Sequence, residues 1–126
     1  MDDSSIIFSY SRAQAIADGV LVDISAPAKE AGFLWPVAIT DTAYHSYIVP
    51  MPDLISQGQS IEGRLWDLVA VLRNCIKQNP DASILEFSVL FLQQPNASPE
   101  LVTLKSIAGP GDDFEPVITI MLPDED

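Results

Sequence analysis

Between positions 61 and 78 apolar residues return at steps of three and four: Ile61, Leu65, Leu68, Val69, Leu72, Cys75 and Ile76 form one stripe, with Glu62, Asp67, Arg73 and Lys77 off it. That period belongs to an α-helix with one buried face, so a long amphipathic helix is predicted from Ile61 to about Gln78. Ser60 stands where an N-cap is needed, and Asn79-Pro80-Asp81 stops the helix. Beyond it the pattern changes to three β-like runs, 84–92, 101–107 and 116–122. In the second of these Val102, Leu104 and Ile107 fall among Thr103, Lys105 and Ser106. The connections, 93–100 with two prolines and 108–115 with Gly109-Pro110-Gly111, are too short for a crossover helix. An antiparallel meander with the long helix on one face follows.

The first half is built from shorter pieces. Ser11 caps a run of helix formers from Arg12 to Asp18 that Gly19 closes, residues 20–24 read as a strand, and 27–31 as a second short helix ended by Gly32. Residues 33–47 carry conflicting signals: Trp35-Pro36 disfavours helix, whereas Thr40 or Asp41 can cap a turn bearing Ala43, Tyr44, Tyr47 and Ile48. Pro50, Pro52 and Gly58 mark a surface loop. The expected architecture is one α+β domain over residues 1–126. It has an antiparallel sheet of three or four strands packed against one long helix, with short helices at the N-terminal end.

Composition limits what such a domain can do. At 126 residues there is enough chain for one core, and a 48% apolar content separates it from disordered acidic chains. Eighteen acids against six bases give a net charge of −12, and residues 79–126 carry nine of those acids against Lys105 alone. Direct binding to nucleic acid or an anionic membrane is therefore not expected. The single Cys75 excludes an internal disulfide, and no basic segment followed by an apolar run opens the chain. A reducing, cytoplasmic setting is expected, with Asp124-Glu125-Asp126 as a solvated tail.

Candidate chemistry is sparse. Asp112, Asp113 and Glu115 in Gly109-Pro-Gly-Asp-Asp-Phe-Glu115 offer three carboxylates to a hard cation such as magnesium or calcium, but the same Gly, Pro and Asp serve a tight turn, and the turn is preferred. Cys75 and His45 could form a nucleophile and base, yet Cys75 lies on the apolar stripe and nothing local pairs them. Neither a Gly-x-Ser-x-Gly elbow nor a phosphate-binding glycine loop occurs, so no catalytic residue, metal ligand or cofactor is assigned. Gly63-Arg64-Leu65-Trp66-Asp67 places Arg64 and Trp66, two residue types frequent at binding hot spots, near the start of the long helix. Whether they form a partner surface turns on their burial.

Several stretches carry a resemblance: Tyr10-Ser-Arg-Ala-Gln-Ala-Ile-Ala-Asp-Gly-Val-Leu-Val-Asp23, Ala31-Gly-Phe33, Pro36-Val-Ala38, Gly63-Arg-Leu-Trp-Asp67, Val102-Thr-Leu-Lys105, and the closing run from Gly109 to Asp126. Together they resemble a bacterial family of uncharacterised domains carried on plasmids, phages and integrated elements. Before Gly63, where relatives tend to have a polar stretch with a histidine, this chain has Gly58-Gln-Ser-Ile-Glu62. The resemblance implies a mobile-element setting and brings no catalytic residue. Small acidic proteins of such elements include anti-restriction and anti-CRISPR inhibitors, some of which imitate nucleic acid. The leading expectation is thus a non-catalytic acidic binding protein. Its surface of Asp81, Glu86, Glu100, Asp112, Asp113 and Glu115, with Arg64 and Trp66, would engage the basic groove of a host nucleic-acid-handling complex. The alternatives are a small metal-dependent enzyme using the 109–115 loop, and an accessory subunit presenting Trp66 or Tyr47.

Overall fold

A computed structural model of the chain describes residues 10–125. The opening residues, read above as lacking a leader, and Asp126 lie outside the described residues. The elements are α1 (Arg12–Ala17), β1 (Leu21–Asp23), α2 (Ser25–Glu30), β2 (Val37–Thr40), α3 (Asp41–Ala43) running into a π-helical turn (Tyr44–Ile48), α4 (Pro52–Ile55), α5 (Ile61–Gln78), β3 (Ile84–Phe91), β4 (Glu100–Pro110) and β5 (Pro116–Met121).

The caps act where the sequence placed them. Ser11 accepts from the Gln14 amide, Thr40 from the Ala43 amide and Ser60 from the Gly63 amide, each satisfying an orphan donor of a first helical turn. Gly19 leaves α1 at a φ of 79°, a conformation that suits glycine. α2 starts two residues before the expected Pro27. The Asp23 carboxylate accepts from the Ser25 amide, and the Ser25 hydroxyl exchanges hydrogen bonds with both backbone groups of Val37.

The five strands lie in the order β1-β2-β5-β4-β3. β3, β4 and β5 form the expected antiparallel meander, Ile84 opposite Ile107 and Ala108 opposite Ile118. The expectation of a purely antiparallel sheet of three or four strands is corrected: β2 runs parallel to β5, with Val37 opposite Ile118, and antiparallel to β1. Val37, Ala38 and Ile39 are all buried, since β2 is an interior strand covered on both faces. Such a strand shows no polar alternation to read.

α5 lays Leu68, Val69 and Leu72 on the inner face of the sheet, against Phe87, Val89 and Phe91 of β3, Val102 and Leu104 of β4, and Ile118 and Ile120 of β5. The outer face is covered unevenly. Over β5, Val117 and Met121 are buried as well, and Arg12 of α1 donates to the Thr119 hydroxyl and to the Ile118 carbonyl. Over β3 and β4, Ile84, Leu90 and Leu101 stand exposed. The C-terminal segment is not simply solvated as expected: the Glu125 carboxylate accepts from the Thr40 hydroxyl and the Leu122 amide, and its backbone carbonyl accepts from Lys105. Among the described residues no helix is long and apolar enough to cross a membrane.

Candidate functional site

The β4–β5 connection is a turn whose carboxylates hold it together. The Gly111 amide donates to the Glu115 carbonyl, and the Glu115 carboxylate accepts from the Asp113 amide at 3.0 Å. Asp112 reaches across to α1, where its two oxygens accept from the Arg12 amide at 2.7 Å and the Ala13 amide at 3.0 Å. These two bonds, that from Ala13 foremost, hold the Asp112 carboxyl below the usual carboxylate range. Asp112 thus closes the first turn of α1 from 100 residues away. Between these bonds Phe114 stands at the tip, 87% exposed and at a φ of 63°. Among the described residues no three His, Cys, Asp or Glu side chains gather so as to hold a metal ion.

The remaining acids are spread along the sheet. Asp81 lies in the α5–β3 turn, at the same end as the 109–115 loop, because β3 starts beside the end of β4. Glu86 faces outward from the middle of β3, opposite Lys105. Glu100 opens β4, ten residue steps and therefore about 33 Å from the turn that follows Pro110. The expected acidic set thus does not form one surface: Asp81, Asp112, Asp113 and Glu115 lie at one end of the sheet, with Glu86 and Glu100 set apart from it.

Arg64 is withdrawn from the partner surface. It is 2% exposed, and its guanidinium donates to the carbonyls of Tyr47 and Leu92 and to the side chains of Gln59 and Gln93, over the Phe91 ring. Burial pulls its pKa down, but the donors are satisfied. The signal was present in the spacing: Arg64 follows Ile61 by three and precedes Leu68 by four, so it lies on the stripe itself. Trp66 is half exposed. Tyr47 stacks on Phe91 and is half-buried. His45 pairs with Asp41, one turn before it, and Cys75 packs half-buried against the core from the C-terminal part of α5, so nothing joins those two.

Sequence reasoning assigned no role to a cleft of about 490 Å3 between the C-terminal turns of α5, the α2–β2 loop and the start of β3. Phe33 and Trp35 form one wall, while Arg73 and Lys77 reach it from α5. Sites assembled from three separate segments leave no local spacing to recognise.

The family of unknown function DUF6573 matches the chain over residues 1–126, and the chain belongs to it. Neither a curated protein nor a solved structure matches.

Proposed function

Starting from membership of an uncharacterised family, we propose that the protein is a non-catalytic binding protein of a mobile element. In this reading it acts in the cytoplasm by presenting carboxylates to the basic groove of a host nucleic-acid-handling defence complex, as an anti-CRISPR or anti-restriction inhibitor does. The observation that carries the reading is the disposition of charge. Arg12, Arg64 and Lys105 turn their donors into the fold, whereas Asp81, Asp113 and Glu86 keep their carboxylates exposed. Such a field steers a basic partner and weakens with salt. Exposed Leu90 and Leu101, on the same outer face as Glu86, add apolar area of the kind a protein partner covers.

The test avoids the carboxylates that hold the β4–β5 turn. Wild type and a variant carrying Asp81→Asn, Glu86→Gln, Glu100→Gln and Asp113→Asn are used to capture partners from host lysate, with elution by rising salt. Capture of a nucleic-acid-binding complex by the wild type alone, eluted early and competed by duplex DNA, is the expected result. Equal capture by both proteins rejects the reading. It then favours the accessory-subunit alternative, for which the half-exposed Trp66 is the specific observation, and Trp66→Ala becomes the variant that loses the partner.

A further inference from the structure

We propose that the cleft between α5, the α2–β2 loop and the start of β3 binds a small amphipathic organic anion, with an aromatic or aliphatic body and one carboxylate, sulfonate or phosphate. Its volume of about 490 Å3 is that of a small-molecule site. Apolar side chains line most of it: Phe33, Trp35, Ile76, Leu85 and Ile118 come from the loop, the helix and two strands. On the inner face of β4 Ser106, 4% exposed, contributes a hydroxyl to the floor. An apolar body buried there leaves water at a favourable free energy, and the hydroxyl fixes its orientation.

The charge at the rim sets the sign of the ligand. The chain has only six lysines and arginines. Arg12, Arg64 and Lys105 donate to partners within the fold. The other three, Lys29, Arg73 and Lys77, have no hydrogen-bond or ion-pair partner among the described residues. Arg73 and Lys77 line this cleft, and Lys29 lines the adjoining hollow that shares residues Gly32 to Trp35. In a protein of net charge −12, two cations without a partner among the described residues on one apolar cleft, with a third in the adjoining hollow, point to an anionic group there.

Arg73 also packs closely on the α2–β2 loop. Gly32 has a φ of 103°, and a Cβ on it would stand 2.7 Å from the Arg73 Nε, so the guanidinium lies against bare backbone that only glycine offers. At the mouth Leu34 is 96% exposed and Trp35 45%, large apolar surface that a bound body would cover. Asp81 also lines the rim and opposes an anion, so its carboxylate weakens the site. Removing that charge therefore strengthens ligand binding while it weakens the partner capture proposed above. The two proposals fail independently.

The experiment uses 1-anilinonaphthalene-8-sulfonate and its uncharged parent N-phenyl-1-naphthylamine, in a Trp66→Phe background that leaves Trp35 as the reporter. One sulfonate probe per chain is expected to bind and quench Trp35. The uncharged parent should bind about tenfold more weakly, the worth of one charge-assisted hydrogen bond. Arg73→Gln with Lys77→Gln should erase that difference, and Asp81→Asn should tighten the sulfonate probe a few-fold while leaving the parent unchanged. Lys77→Gln alone, on an exposed side chain, gives the same direction of change should the double variant unfold. Equal affinity for the two probes, indifference to the cation variants, or binding without a Trp35 response overturns the proposal.

Discussion

Arg64 reverses the usual expectation for a cation in an acidic protein. Two of its donors go to backbone carbonyls, those of Tyr47 and Leu92, which lie 17 and 28 residues away. Arg64→Ala would take the guanidinium donor from the carbonyls of these two half-buried residues, at a cost of about 3 kcal/mol in urea-induced unfolding. Arg64→Lys, which keeps the charge but not the planar fork, should lose part of that. Position on the stripe was readable from the sequence, but the partners were not, because they belong to segments whose approach only the fold decides. Asp112 makes the same point with a titration. Its carboxyl is held below its unfolded value by the α1 amides, so its contribution is complete above about pH 4 and is lost as pH falls through the lower folded value. Asp112→Ala is therefore expected to melt below wild type at pH 7, and the two melting temperatures should converge in acid. A constant gap across the titration would show that the carboxylate charge is not what holds α1.

Among the elements, those with a local signal were legible and those defined by their neighbours were not. The start of α5 and its approximate end were legible because Ser60 caps it, its stripe runs for about four turns and Asn79-Pro80 stops it. Ser60→Ala should accordingly cost about 1 kcal/mol, read in chemical denaturation. β2 escaped because its three successive buried residues, Val37, Ala38 and Ile39, carry no period, and its partner β5 lies about 80 positions on. The α2–β2 loop combines both kinds of information. Gly32 reads as a helix stop, yet its second duty, making room for Arg73, appears only in three dimensions. Gly32→Ala is expected to cost about 1–3 kcal/mol through left-handed strain and the clash with the guanidinium. In an Arg73→Ala background the clash vanishes and the strain stays, so the penalty should fall but not disappear. Additive penalties would place the Arg73 guanidinium away from Gly32.

At the scale of the whole molecule, the charge has two consequences of opposite sign. A net −12 on 126 residues repels itself in the compact state, and three of the six cations are committed to local contacts. Raising sodium chloride from about 0.01 to 0.2 M shortens the screening length from roughly 30 to 7 Å. The repulsion between acids at opposite ends of the sheet is then removed, while the short bonds of Asp112 and Arg64 are little affected. The melting temperature should rise over that range, most of it below 0.1 M, and chloride suffices because no surface-exclusion effect is needed. Capture of a basic partner should weaken over the same range, since the field that destabilises the free protein is the field the partner neutralises. A binding partner would then raise the melting temperature more at low salt than at high salt, by relieving repulsion as well as by mass action. A melting temperature that falls with added salt would mean that the charges are paired favourably in the free fold, and the acidic surface would then have no unspent repulsion for a partner to relieve.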